Sequence, residues 1–217
     1  MKIKNLSISL NRRPLFSNFS LELEPGSVAG FYAPTGFGKT TLFNFICGNL
    51  KNKKAFQISC DFISPQIKQA IVYQDFRLLE NLTVKKNIVL PFEQYEKTDI
   101  QKFNDINEYC NCLLEKLCLV EKAGSTVKNL SGGEKQRVCI ARAFLFAAFN
   151  ECNVLILDEP FSNQDEEKNQ AIIDLIKAQT KKGISVLAAS HQKALLLQLT
   201  QNIYTQKDFI KGKPGLL

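Results

Sequence analysis

The chain has 217 residues, 45% hydrophobic and 23% charged, and 28 Lys and Arg against 21 Asp and Glu leave a net charge of +7. That balance suits one globular unit with a full core, large enough to hold a subdomain. It excludes a membrane-spanning chain, because the longest apolar stretch, Ala143 to Phe149, falls far short of the ~20 residues a span needs. The start, Met1-Lys2-Ile3-Lys4-Asn5, lacks the apolar centre of a secretory signal, which predicts a cytosolic chain that meets a membrane only through a partner. Seven cysteines are an odd number in a chain that is not small, so they predict reduced thiols rather than a disulfide framework. Cys47, Cys118 and Cys139 fall among apolar neighbours and read as packed, and Cys110 and Cys112 are too close in sequence for a metal-ligand pair. The lysines are scattered apart from Lys51, Lys53 and Lys54, so the positive charge reads as solvated surface and no nucleic-acid partner is expected.

In chain order, Leu6, Ile8 and Leu10 alternate with serines, and Phe19, Leu21 and Leu23 alternate with Ser20 and Glu22. Period two on either side of the polar turn Asn11 to Pro14 predicts an antiparallel pair with one wet face. Pro25-Gly26 turns the chain into an apolar strand, Val28 to Tyr32. Next comes Ala33-Pro34-Thr35-Gly36-Phe37-Gly38-Lys39-Thr40-Thr41, then an amphipathic run to Asn49. Strand, glycine-rich loop and helix in that order form a phosphate-binding loop. Gly36 and Gly38 let successive N–H groups curl into one concavity, and the helix adds its positive end. In this pattern Lys39 reaches the β- and γ-phosphates and the Thr40 hydroxyl holds Mg²⁺. Ala33 stands where the pattern usually has its first glycine.

Short strands are predicted near Phe56 to Ile58 and Ala70 to Tyr73, followed by Gln74. Residues 76–125 read as helical, with Ile106, Cys110, Leu113, Leu114 and Leu117 on one face. We read residues 80–145, approximately, as a helical subdomain within a single domain spanning 1–217. Ser131 and Glu134 have capping-box spacing at the start of another helix. Gly132 and Gly133 in its first turn each cost about 1 kcal/mol against alanine, which makes sense if something approaches that backbone closely. Val154 to Leu157 is a continuous apolar run, as in a parallel strand buried on both faces, and it delivers Asp158 and Glu159 at its end. A helix from Asp165 to Lys182 with Ile172, Ile173 and Ile176 inward stops at Gly183. Ser185 to Ser190 then carries His191, the single histidine, to the edge where open α/β sheets bind ligands. A helix and a strand are expected near Asn202 to Ile210.

Together these pieces resemble the ATP-binding cassette (ABC) ATPases, the nucleotide-binding subunits of ABC transporters. The resemblance covers nearly the whole chain. Its motifs are Walker A (Ala33–Thr41), the Q-loop residue Gln74, the signature Leu130-Ser131-Gly132-Gly133-Glu134-Lys135-Gln136-Arg137, Walker B (Val154–Asp158) with Glu159, the D-loop Ser162-Asn163-Gln164-Asp165, and His191. It implies an α/β P-loop NTPase fold: a mainly parallel core, an N-terminal antiparallel β-subdomain and an inserted helical subdomain. It implies ATP and Mg²⁺ as ligands, with Thr40, Gln74 and Asp158 at the metal. Glu159 would orient or deprotonate the attacking water, His191 would contact the γ-phosphate, and Gln74 would sense it.

Ser131, Gly132, Gly133 and Gln136 would meet nucleotide bound to a second cassette, so a head-to-tail dimer, identical or paralogous, is implied. Polytopic permease subunits, an external solute-binding protein and a place on the inner face of the cell membrane complete the expected setting. Leu10 stands where the family often has an aromatic residue that stacks on adenine, and the D-loop differs from the commoner Ser-Ala-Leu-Asp. Phe161 after Pro160, and the run Gln74-Asp75-Phe76-Arg77-Leu78-Leu79, resemble importers of the nitrate, sulfonate, taurine and thiamine-precursor type. An exporter or lipoprotein-extraction ATPase, and a soluble ABC ATPase acting on nucleic acid, ribosomes or cluster assembly, stand as alternatives.

Overall fold

The computed structural model describes residues 1–34, 36–50 and 55–210. Its strands are β1 (Lys2–Leu10), β2 (Arg13–Glu22), β3 (Val28–Tyr32), β4 (Phe56–Ser59), β5 (Phe62–Ile63), β6 (Gln69–Val72), β7 (Val154–Asp158), β8 (Ser185–Ala189) and β9 (Ile203–Thr205). Its helices are α1 (Lys39–Ile46), α2 (Val84–Val89), α3 (Tyr95–Thr98), α4 (Ile100–Lys116), α5 (Gly132–Phe149), α6 (Glu166–Lys181), α7 (Lys193–Leu197) and α8 (Gln206–Phe209).

Two sheets form. One runs β2-β1-β4 with β5 also on β1, all antiparallel. The other runs β6-β7-β8-β3-β9, all parallel. The first hairpin is longer than its period-two stretches, because asparagines interrupt the alternation. Asn5 and Asn18 hold left-handed φ of 51°, and the register shifts on both sides of Leu6. Such bulges move the buried positions to Ile3, Leu6 and Ile8 on β1 and to Phe16, Phe19 and Leu21 on β2.

The parallel sheet is buried on both faces, and successive residues divide between two cores. Leu155, Leu157, Val186 and Ala188 pack with α2, α4, α5 and α6. Val154, Ile156, Leu187 and Ala189 pack with α1 and the antiparallel sheet. The second core is rich in aromatic contacts: Phe31 stacks on Tyr204 at 5.4 Å and meets Phe43 edge-on at 5.6 Å. In α4, Ile106, Cys110, Leu113 and Leu114 are buried, with Leu117 just beyond its end, as the periodicity predicts. In α6, Ile172, Ile173 and Ile176 are buried, with Asp165 as its N-cap. Near the end of the described chain, strand β9 is followed directly by helix α8.

The thiols depart from expectation at one position. Cys139 is buried, but Cys118 is exposed, in a left-handed turn with φ 52° just after α4. Its apolar neighbours Leu117 and Leu119 both point inward, and the turn points the cysteine out. Among the described residues no helix is long and apolar enough to cross a membrane.

Because β3, β6, β7 and β8 run parallel, the chain leaves each of them at one edge of the sheet. Gln74 follows β6, Asp158 ends β7, His191 follows β8, and the glycine loop follows β3.

Candidate functional site

At that edge lies a cleft of about 180 Å³ lined by Leu10, Leu15, Gly36, Gly38, Lys39, Thr40, Thr41, Gln74, Asp158 and Glu159. Gly36 and Gly38 have φ of 86° and 88°, a backbone that disfavours any side chain. Gly38 is constrained twice, since a Cβ there would sit 3.0 Å from the Phe16 ring. It is also the N-cap of α1, with no side chain capping that end and no acid in the first turn. The helix therefore offers uncompensated N–H groups and a positive end to the cleft.

Lys39 is buried, and its Nζ donates to the carbonyls of Ala33 at 2.5 Å and Pro34 at 3.2 Å. The same ammonium lies 3.7 Å from Glu159 Oε1. The other Glu159 oxygen, Oε2, is 2.8 Å from His191 Nδ1 and accepts from the His191 backbone N–H at 3.3 Å. Glu159 itself adopts φ 55°, so the chain turns sharply as it leaves β7. Its carbonyl accepts from Gln136 Nε2 at 3.1 Å and from Ser162 Oγ at 3.0 Å, which holds the turn.

Thr40 Oγ1 donates to Asp158 Oδ2 at 2.6 Å. Burial pushes the Asp158 carboxyl above its ordinary value, the Thr40 hydroxyl opposing. A hydroxyl, a buried carboxylate and the Gln74 amide on one cleft are hard oxygen donors of the kind Mg²⁺ takes when phosphates supply the remaining ligands. Among the described residues no group of three or more His, Cys, Asp or Glu side chains is gathered to hold a metal by itself.

A second constellation sits at the start of α5. Ser131 Oγ accepts from the Glu134 N–H at 3.2 Å, and Glu134 Oε2 accepts from the Ser131 N–H at 2.7 Å, which completes the capping box. Hydrogen bonding from the Ser131 amide holds the Glu134 carboxyl below the usual glutamate range. Ser131, Gly132 and Gly133 do not line the cleft.

Three comparisons bear on this arrangement. A family model described as ABC transporter matches residues 16–162. The chain is 31% identical over 210 residues to the spermidine/putrescine import ATP-binding protein PotA of Thermotoga maritima, covering 94% of this chain and 55% of that protein. The chain thus spans about half the length of that relative. It is 31% identical to the cell division ATP-binding protein FtsE of Mycobacterium tuberculosis, covering 88% of this chain and 84% of the relative. It is 32% identical to the methionine import ATP-binding protein MetN of Clostridioides difficile, covering 92% of this chain and 63% of the relative. The chain belongs to the ABC transporter family. It is an ATP-binding cassette of that family.

Solved ABC cassettes share its fold. A dimeric cassette in a post-hydrolysis state with ADP and Pi superposes with TM-score 0.74 at 24% identity, covering 96% of this chain and 95% of that one. The ATP-binding subunit of an ABC transporter gives TM-score 0.77 at 22% identity, covering 96% and 86%. The P-loop fold with its antiparallel N-terminal sheet agrees with the resemblance read from sequence.

Within the cassette, the described residues of the glycine loop and the strand ends fall into two groups. Gly36, Gly38, Lys39, Thr40, Thr41, Gln74, Asp158 and Glu159 meet at the cleft, and His191 joins through Glu159. Ala33, buried, and Pro34 contribute carbonyls to Lys39, while Phe37 packs against the second core. Thr35 lies outside the described residues.

The start of α5 is engaged within its own chain. Gln136 is 1% exposed and its amide is bonded to the Glu159 carbonyl, so it braces the end of β7. Gly133 meets its close neighbour inside the same chain, because a Cβ there would collide with the Asn163 carbonyl. Gly132 has only the Asn163 amide nearby, at an ordinary 3.6 Å. Sequence reading missed Leu15, which lines the cleft beside Leu10, and Gln164, which bonds to Gly133 and Arg137. The D-loop's departure from its commoner form was the available signal for Gln164.

Proposed function

We propose that this chain is the ATP-hydrolysing subunit of an ABC transporter and works as a head-to-tail dimer beneath membrane permease subunits. The observation that carries the reading is the convergence of Lys39, Thr40, Asp158, Glu159 and His191 on one strand edge, with Glu159 between a cation and an imidazole. Phosphoryl transfer needs positioning and charge neutralisation more than covalent chemistry, and this group supplies both.

In this reading the loop amides from Gly36 to Thr41 and the Lys39 ammonium bind the phosphates. Thr40, Asp158 and Gln74 hold Mg²⁺, which neutralises charge on the phosphates. Glu159 takes or orients the proton of the attacking water, and His191 steadies the γ-phosphate from the other side of Glu159. Leu10 and Leu15 give the cleft an apolar flank. Ser131, Gly132 and Gly133 close over the nucleotide of a second cassette, in keeping with the dimeric cassettes that share the fold. Residues 80–145, approximately, act as the helical subdomain that meets the permease, which places the chain at the inner face of the membrane.

Import of a small solute is the direction we favour. Phe161 after Pro160 and the similarity to PotA and MetN support it. Similarity to FtsE of Mycobacterium tuberculosis and Escherichia coli supports a second reading, an export or extraction ATPase with no external binding protein.

The test is Glu159→Gln with ATP and Mg²⁺. Retained ATP binding with turnover down by at least about a hundredfold is expected from loss of the group that handles the water proton. Full turnover would reject Glu159 in that role. Gentle detergent purification of the trapped dimer then decides direction. A polytopic subunit with an external binding protein supports import, a polytopic subunit alone supports export, and a ribosomal or DNA-bound catch overturns the transporter reading.

A further inference from the structure

Gln164 occupies a position where one planar amide meets a donor and an acceptor at once. Its Oε1 accepts from Arg137 Nη1 at 2.7 Å, and its Nε2 donates to the Gly133 carbonyl at 2.9 Å. Arg137 is largely buried and spends its Nε on the Leu117 carbonyl at 2.9 Å. We propose that Gln164 is a positioning residue for hydrolysis: its side chain fixes the first turn of α5 to the segment 159–165, and so fixes Glu159. The inference rests on the ATPase reading above.

The chain of contacts runs in one direction. Gln164 holds Gly133 and Arg137, on either side of Gln136 in the first turns of α5. Gln136, buried on that helix, holds the Glu159 carbonyl at 3.1 Å. Glu159 has φ 55°, a conformation that persists only while its surroundings over-determine it. At the far end, Asp165 caps α6 by accepting from the Lys168 N–H at 3.0 Å, which anchors the segment to the core. Release of the Gln164 link frees the α5 turn, loosens Gln136 and lets the Glu159 carboxylate wander from its place 3.7 Å from Lys39 and 2.8 Å from His191.

The chemistry of the position is specific. Leucine at 164 would leave the Arg137 guanidinium short of an acceptor in a largely dry place, which is costly. Glutamate would keep an acceptor for Arg137 but set a carboxylate oxygen against the Gly133 carbonyl. Glutamine satisfies both.

The experiment compares wild type, Gln164→Leu and Gln164→Glu in the full chain. Steady-state hydrolysis, nucleotide titration and amide hydrogen exchange over 132–137 and 159–164 are measured. For Gln164→Leu the expected result is kcat down about tenfold with KM for ATP within about twofold, since small misplacements of a catalytic group act on kcat. Exchange should quicken in both segments together and stay unchanged in β8. Gln164→Glu should fall between, because it restores the Arg137 partner alone, and it carries the test if the leucine variant fails to fold. A kcat within twofold of wild type in both variants overturns the proposal, as does a kcat loss that only tracks the fraction unfolded. Wild-type chain without any turnover rejects the ATPase reading itself, and Gln164 as a residue of hydrolysis goes with it.

Discussion

The cleft at the sheet edge and the first turn of α5 use the same device, a helix start entered through glycine, and finish it in opposite ways. At α1 the N-cap is Gly38, no side chain caps the helix, and the nearby charge is the Lys39 ammonium. At α5 the N-cap is Ser131, the capping box is complete, and Glu134 already brings negative charge to the first turn. The first end is left open toward an anion. At the second, the capping box takes the Ser131 and Glu134 amides, and the first turn packs onto residues 163–164 of the same chain. The lesson is that a glycine-rich helix start has no fixed meaning. Neighbouring side chains decide whether its amides are free or already engaged.

The sharpest way to break the comparison is to remove the charge from the open end. Lys39→Ala should raise the ATP dissociation constant at least about tenfold by titration calorimetry, because it removes a charge-assisted contact from a buried place. Unchanged affinity would mean that the α1 end does not need its lysine.

The next test contrasts two adjacent glycines in α5. Gly133→Ala drives a Cβ into the Asn163 carbonyl and should cost about 1–3 kcal/mol in chemical denaturation. Gly132→Ala has ordinary space and a better helix former, so stability should hold or rise by up to about 1 kcal/mol. Equal losses at both positions would show that packing on Asn163 is not what separates them.

The smallest effect concerns the cap itself. Ser131→Ala should cost about 1 kcal/mol, read as a shift in the denaturation midpoint. Glu134 adds a pH signature. Its pKa is depressed in the folded chain, so its contribution is present at neutral pH and fades as acid titration passes down through the folded value. Glu134→Gln should flatten that part of the acid limb, and an identical limb in both proteins would remove Glu134 from the cap's energetics.

Much of this was legible because the decisive residues are contiguous. Ala33 to Thr41 carries strand, turn and helix signals within nine positions. The run Val154 to Leu157 announces a strand buried on both faces and hands over Asp158 and Glu159. The capping box needed only Ser131 and Glu134, three apart.

Long-range geometry decided the rest. Asn5 and Asn18 gave no sign that they would bulge the first hairpin, since asparagine is also common in plain turns. Leu15 reaches the cleft only because β2 folds back beside Gly38. The engagement of Gln136 with Glu159 spans 23 residues and that of Gln164 with Gly133 spans 31, and no local pattern encodes either. The sequence by itself determined the elements, the family and the chemical inventory, because periodicity and motif spacing act over a few residues. Tertiary structure alone decided which side chains are already engaged within the chain, because that depends on parallel strands and α5 bringing distant segments into hydrogen-bonding reach.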